Sequence, residues 1–241
     1  MASAGGSSTT DSPDSPRLGR IYARLAFGPA AAVYELLTDH EAWRSDCREM
    51  THLVPGPRVL DLGIGPGTSA IEMARADASR HHVGLDVSGW MVSRARARAR
   101  AAGVPLLLLR ADAQRLPLRD GRFDGATGHS FLYLLADAAA ALREVLRVLR
   151  PGGRVAFLEP RAGSVDLGAA LRAGAHHAIA MTFWRGMSGL HRRFDETTLP
   201  ALLAAAGFAG ARAWPVLSGF GVMATAERPG PRTVDGGEPA S

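Results

Sequence analysis

Residues 59–68 (VLDLGIGPGT) combine an apolar run with the residue types most able to bind a charged ligand. Gly63, Gly65 and Gly67 stand at alternate positions directly after that run. Glycine has no Cβ, so such a turn lets a ligand approach the backbone closely. Asp61, two residues before the first glycine, brings a carboxylate near that ligand. A carboxylate disfavours a pyrophosphate and favours a cationic ligand.

Two common phosphate-binding motifs do not fit this segment. The dinucleotide pattern G-x-G-x-x-G needs a glycine where Thr68 stands. The P-loop needs a lysine, and the chain contains none. A second acid, Asp86, ends the next strand-like stretch, where a carboxylate can accept hydrogen bonds from both hydroxyls of a ribose. The glycine turn and the two acids together predict a nucleoside site.

The residues around these motifs predict an α/β fold with a mostly parallel sheet, because strand-like and helix-like stretches alternate. The strand-like stretches are 58–62, 82–85, 106–110, 125–130, 154–159, 211–217 and 221–227, and the helix-like ones are 20–50, 68–76, 88–102, 137–149 and 196–206. Residues 161–193 are less regular. The last two strands are separated by only three residues, which forces them antiparallel. Ligands of open parallel sheets bind at the carboxyl ends of the strands, where the glycine turn and Asp86 lie.

With these motifs the sequence resembles the class I S-adenosylmethionine-dependent methyltransferases. Their first motif, an acid followed by G-x-G-x-G, is matched by Asp61, Gly63, Gly65 and Gly67, and the likeness is strongest over about residues 55–160. The resemblance implies a Rossmann-like, seven-stranded, mostly parallel sheet with a C-terminal antiparallel hairpin, helices on both faces and an N-terminal helical lid. It also implies S-adenosyl-L-methionine as the cofactor, with its ammonium group near Asp61.

The same resemblance assigns the rest of the cofactor site. It places the ribose at Asp86 and the adenine beside Met91 and the pair Asp112 and Ala113, and it includes Val87 among the cofactor contacts. From the residues alone, two alternatives stay open. Met91 can equally be a core methionine, and Asp112 can cap a turn.

Methyl transfer from a sulfonium is an in-line displacement that needs alignment and, for a poor nucleophile, a base. The base candidates are His129, which follows the fourth strand and is also a candidate cofactor contact, and His191. Positioning of the substrate and simple packing are the alternative roles for both. No metal is expected, because the histidines form no ligand motif with nearby carboxylates.

One methyltransferase domain is predicted over residues 18–228. The flanking tails, 1–17 and 229–241, are rich in Gly, Pro, Ser and Asp and are expected to be disordered. Two stretches, 18–50 and 161–193, are rich in aromatic residues, and the resemblance implies that they form a helical lid and an acceptor-pocket insert. An apolar lid suits an aromatic or lipid-like small molecule.

The composition bears on the classes of partner. The net charge is +5 and all 28 basic residues are arginine, which invites a nucleic-acid hypothesis. The absence of lysine and asparagine indicates a compositional bias instead, and nucleic acid is not the expected partner. One cysteine, Cys47, excludes a disulfide framework. No apolar run is long enough to span a membrane, and a cytoplasmic protein is expected. The expected partner is a small-molecule acceptor, and the oligomeric state, monomer or homodimer, stays open.

Two other functions stay open at this point. One is methyl transfer to RNA or protein, and the other is a catalytically silent module that only binds the cofactor.

Overall fold

A computed structural model describes residues 40–230 of the chain. The predicted tail 1–17, residues 18–39 of the predicted lid and residues 231–241 lie outside the described residues. The helices and strands follow in the order α1 (Glu41–Leu53), β1 (Arg58–Leu62), α2 (Thr68–Ala76), β2 (His81–Asp86), α3 (Gly89–Ala101), β3 (Leu107–Arg110), β4 (Phe123–His129), α4 (Ala138–Val148), β5 (Leu149–Pro160), α5 (Leu167–Arg172), α6 (Ala175–Ser188), α7 (Thr198–Ala205), β6 (Ala209–Val216) and β7 (Gly221–Glu227).

The seven strands form one sheet in the order β3-β2-β1-β4-β5-β7-β6. Strands β1 to β5 run parallel, whereas β7 lies antiparallel to both β5 and β6. This arrangement confirms the predicted Rossmann-like sheet with its C-terminal hairpin. The chain order reverses between β1 and β4, and the carboxyl ends of those two strands therefore border the crevice where ligands of such sheets bind.

The structure differs from the predicted elements in two places. β5 begins at Leu149 rather than at residue 154, because Leu149 already pairs with Phe123 before the strand bulges and resumes at Arg154. Residues 161–193, predicted to be less regular, contain two helices, α5 and α6. The buried residues of α6, which include Ala178, Met181 and Trp184, recur at helical spacing.

Helices cover both faces of the sheet. On one face Leu60 and Leu85 belong to an apolar core that also takes in the buried sides of α4 and α7. On the other face Val59 and Leu158 pack in a second core with α1 and α6. Strands buried on both faces are largely apolar, which is why β1 is an apolar run apart from the exposed Arg58 and the buried Asp61. Among residues 40–230, no helix combines the length and apolar character that crossing a bilayer requires.

His82 is a buried polar side chain of the sheet that has no hydrogen-bond partner among the described residues. His82 of β2 is 3% exposed, and neither of its ring nitrogens is bonded within the part of the chain that the structure describes. Burial first, and the nearby Arg80 second, lower the pKa of His82 to about 4. An unfolded histidine takes up a proton near pH 6.5, so folding holds His82 neutral over a range in which the unfolded chain is charged.

We predict that His82→Leu raises the free energy of unfolding by about 1–3 kcal/mol, since it removes an unsatisfied buried polar group. The gap between variant and wild type should widen as the pH falls from about 6.5 towards 4, because the depressed pKa makes the wild type lose stability over that range. Urea unfolding at pH 8 and pH 5 measures both effects. The exposed neighbour provides the control: His81→Leu should change the free energy by less than about 0.5 kcal/mol at pH 8. An equal gap for His82→Leu at both pH values would contradict the prediction.

Candidate active site

The glycine turn at residues 63–67 adopts a backbone conformation that favours glycine. Gly63, Gly65 and Gly67 have φ values of 61°, 53° and 88°. A Cβ on Gly63 would lie 2.3 Å from Cδ2 of Phe131, so the ring of Phe131 rests directly on the turn. α2 begins at Thr68, and the unpaired N–H groups of its first turn therefore stand at the same place. The turn can hold a ligand against the backbone without interference from its own side chains.

Asp61 joins the start of α2 to the central strand. Its carboxylate is 1% exposed and accepts hydrogen bonds from Ser69 Oγ at 2.8 Å and Thr127 Oγ1 at 2.9 Å. Burial raises the pKa of Asp61 to about 6, while the two hydroxyl groups act in the opposite direction. Both oxygens thus have partners in the protein, and the contact with the cofactor's ammonium group stays a prediction.

Asp86 joins the glycine turn to the next loop. Its Oδ2 accepts a hydrogen bond from Gly65 N at 3.1 Å and its Oδ1 accepts one from Ser88 N at 2.8 Å. Burial raises the pKa of the carboxyl group, and these two N–H groups lower it. A carboxylate offers about four lone-pair sites, so Asp86 keeps acceptor capacity for ribose hydroxyls. The structure therefore brings Asp86 to the glycine turn, although its contact with a ribose is untested.

The remaining predicted cofactor contacts follow β2 and β3 at the same edge of the sheet. Val87 is 63% exposed, whereas Met91 is buried within α3. Ala113 is buried and Asp112 is exposed. Asp112 Oδ1 accepts a hydrogen bond from Gln114 N at 2.9 Å, so one of its oxygens does cap a turn. Their roles towards the adenine stay predictions.

His129, the first candidate base, is the last residue of β4 and is 8% exposed. Its ring centroid lies 4.2 Å from that of Trp43, and neither ring nitrogen has a partner among the described residues. Burial lowers the pKa of His129 to about 3. An imidazole with that pKa is a weak proton acceptor near neutrality, where a base works best with a pKa close to the operating pH. The geometry supports positioning or packing, the two alternatives to a base.

His191, the second candidate, follows α6 and is partly buried. Its ring lies edge-on to the ring of Tyr133, with the centroids 5.7 Å apart. Burial lowers the pKa of His191. Since Tyr133 belongs to the loop that follows β4, the structure brings His191 to the same edge of the sheet as His129, the edge formed by the carboxyl ends of the parallel strands.

Sequence reasoning missed a group of packed rings, which we call the aromatic–histidine cluster. Its members are His40, Trp43, His129, His177 and Trp184. Trp43 lies 5.2 Å from Trp184, and His40 lies 4.8 Å from His177, centroid to centroid. Trp184 Nε1 and His177 Nδ1 are buried without a partner among residues 40–230, as are both nitrogens of His129. Several polar atoms of this buried cluster therefore have no partner within the described residues.

Sequence reasoning also missed Glu159, near the carboxyl end of β5. This residue is 0% exposed, and its carboxylate accepts hydrogen bonds from three successive backbone N–H groups. Oε1 accepts from Phe131 N at 3.1 Å and Leu132 N at 2.8 Å, and Oε2 accepts from Tyr133 N at 3.2 Å. Burial raises the pKa of Glu159 to about 8, although the three N–H groups oppose that shift. An acid at the end of the apolar stretch 154–159 is the signal that could have revealed it.

No group of three or more His, Cys, Asp or Glu side chains within the described range is placed to hold a metal ion. The residues do fit a cationic nucleoside cofactor. The glycine turn leaves its backbone open, and two acids, Asp61 and Asp86, lie beside it. A cation, Arg98, donates to Thr68 Oγ1 at 3.1 Å, directly after the turn. When bound there, S-adenosylmethionine supplies an activated methyl group on a sulfonium.

Comparisons with known proteins identify the kind of domain in which these residues lie. Residues 59–153 match a family described as a methyltransferase domain. The ubiquinone/menaquinone biosynthesis C-methyltransferase UbiE of Vibrio cholerae is 34% identical over 142 residues, which cover 55% of this chain and 55% of UbiE. The chain spans about half the length of the curated relatives that it matches.

Solved structures of low sequence identity share the fold. An S-adenosylmethionine-dependent methyltransferase from Aquifex aeolicus has a TM-score of 0.60 and 18% identity, covering 87% of this chain and 97% of that one. The 4+2 cyclase SpnF has a TM-score of 0.61 and 21% identity, covering 89% of this chain and 96% of that one.

The matched domain contains the glycine turn and Asp86, and the relatives share both its sequence and its fold. The cofactor of such domains is S-adenosylmethionine, and the chain is similar in sequence and in fold to S-adenosylmethionine-dependent methyltransferases.

Proposed function

We propose that this protein transfers the methyl group of S-adenosylmethionine to a small, uncharged, aromatic acceptor in the cytoplasm. The observation that carries the acceptor class is the aromatic–histidine cluster, which has buried polar atoms without partners in the described chain. UbiE, which is named for ubiquinone and menaquinone biosynthesis, supports the same class.

The residues of the cofactor site act by binding and orientation. Asp86 accepts the ribose hydroxyls, while the glycine turn holds the amino acid part against the backbone. Asp112 accepts a hydrogen bond from the adenine amino group through the oxygen that does not cap the turn. Holding the reacting carbon in line with an acceptor is the main requirement of methyl transfer, because fixed geometry removes much of the entropic barrier.

The aromatic–histidine cluster selects the acceptor by shape and hydrogen bonding rather than by charge. Burial lowers the pKa of both His129 and His177, so neither ring carries a charge near neutrality. A buried donor without a partner costs about 1–3 kcal/mol. A carbonyl or hydroxyl oxygen on the acceptor would accept from Trp184 Nε1 and recover that energy, while an aromatic ring would pack on Trp43 and Trp184.

The similarity to SpnF supports a second candidate function, a reaction other than methyl transfer. SpnF is a cyclase with the same fold, and a cofactor-binding domain of this kind can therefore be used for a reaction other than methyl transfer.

Incubation with methyl-labelled S-adenosylmethionine and metabolite extracts, followed by mass spectrometry, tests the proposal directly. We expect label in a neutral aromatic compound and stoichiometric S-adenosylhomocysteine. Cofactor binding without any labelled product would favour the second function, and label confined to RNA or protein would contradict the acceptor class.

We predict that Asp86→Asn weakens the binding of S-adenosylmethionine at least about 10-fold, or about 1.4 kcal/mol. Asparagine keeps only one acceptor oxygen and loses the negative charge that a cationic ligand favours. Calorimetry measures the affinity, and a melting temperature within about 5 °C of the wild type shows that the fold is kept. The control is Glu227→Gln, which removes an acid that pairs with Arg154 at the end of the strands opposite the glycine turn. This substitution should leave the affinity unchanged. Equal affinities for Asp86→Asn and wild type would remove Asp86 from the site.

We predict that Trp184→Phe raises the KM for the acceptor several-fold while the affinity for S-adenosylmethionine stays constant. The substitution keeps an aromatic ring but deletes the Nε1 donor. Steady-state kinetics with the acceptor found by labelling give the KM. Trp214→Phe, on β6, is the matched control and should leave the KM unchanged. A shift confined to cofactor affinity would place Trp184 outside the acceptor pocket.

A further inference from the structure

We propose that Glu159 is a positioning residue for methyl transfer. It fixes the post-β4 loop, residues 130–134, so that Phe131 supports the glycine turn. This inference rests on the proposed function, because it assigns Glu159 a part in the same site.

The first step is the hydrogen bonding of the loop. Three successive N–H groups, those of Phe131, Leu132 and Tyr133, all donate to the Glu159 carboxylate at 2.8–3.2 Å. They lie at the start of a short 3₁₀ helix, Leu132–Leu134, whose first N–H groups have no partner within the helix. The carboxylate is fully buried, so water does not replace it as the acceptor.

The second step is the backbone conformation that these bonds maintain. Ser130 has a φ of 55°, a left-handed conformation that residues with a side chain disfavour. Ser130 N donates to Leu158 O at 2.8 Å, and the Glu159 bonds begin at the next residue. Such a conformation persists only where surrounding contacts fix the backbone. Glu159 contributes three hydrogen bonds to the three residues that follow Ser130.

The third step connects the loop to the cofactor site. The ring of Phe131 occupies the space where a Cβ of Gly63 would stand, 2.3 Å from Cδ2. A shift of the loop therefore moves this ring relative to the first glycine of the turn. The loop also follows His129 directly and carries Tyr133, which contacts His191. Through this one loop Glu159 positions Phe131, beside the cofactor, and Tyr133, beside the acceptor. Glu159 itself contacts neither ligand.

The experiment compares two substitutions of Glu159. Glu159→Gln keeps an oxygen that can accept from Phe131 N and Leu132 N, whereas Glu159→Leu leaves all three N–H groups without an acceptor. We expect Glu159→Leu to weaken S-adenosylmethionine binding at least about 10-fold and to lower kcat about 10-fold or more, with Glu159→Gln restoring both to within about 3-fold of wild type. Calorimetry gives the affinity, and label transfer to the metabolite fraction that the wild type labels gives kcat and KM.

A buried acid at the opposite end of the sheet provides the control. Asp124, at the start of β4, accepts from Arg58 N at 2.8 Å and pairs with Arg150 at 2.7 Å. Asp124→Leu should lower the melting temperature but leave kcat and cofactor affinity near the wild-type values. Equal kinetic losses for Asp124→Leu and Glu159→Leu would show a general structural effect and overturn the proposal.

A second variant covers the case in which Glu159→Leu does not fold. Phe131→Ala leaves the Glu159 hydrogen bonds in place and removes only the ring against Gly63, so we expect the same weakening of cofactor binding. Wild-type affinity in folded Phe131→Ala or Glu159→Leu overturns the inference while leaving the proposed function intact. A wild-type protein that binds no S-adenosylmethionine overturns both.

Discussion

The crevice depends on carboxylates buried at or near the carboxyl ends of parallel strands. Asp61 in β1 accepts from two hydroxyl groups, Asp86 in β2 from two backbone N–H groups, and Glu159 in β5 from three. Each acid fixes a segment from a neighbouring part of the chain, and a buried N–H that lost its acceptor would cost about 1–3 kcal/mol. The glycine turn and the post-β4 loop are therefore held in place by the protein itself, before any ligand binds.

The same burial gives these acids a common electrostatic property. Desolvation raises the pKa of all three, to about 6 for Asp61 and about 8 for Glu159, because burial disfavours the charged form of each carboxyl group. A cation bound nearby offsets that effect of burial, whereas an anion adds to it. A crevice built in this way favours a positively charged ligand over a phosphate, in agreement with the cofactor of the family.

Local signals made much of the fold predictable. β1 and α2 have the bounds expected from an apolar run and a glycine turn, and the short link before β7 fixed its antiparallel direction. Long-range contacts were not predictable in this way. Thr127 meets Asp61 from 66 positions away, and Glu159 meets Phe131 from 28. No local pattern shows which loop a distant carboxylate will join, so the roles of Asp61 and Glu159 became visible only in the folded chain.

The pKa of His129 also depends on long-range packing that the sequence does not show, and it bears on whether this histidine can act as a base. The sequence places this residue at the end of the central strand, but only the packing of Trp43 and its neighbours makes it a group with a pKa of about 3. Such an imidazole stays neutral at pH 7 and gains little by taking a proton from an acceptor. His129 is therefore better suited to packing or positioning than to proton transfer, and its role stays a prediction. His191 is the other candidate base, so the first requirement that the proposed methyl transfer places on this site is alignment of the acceptor atom with the sulfonium.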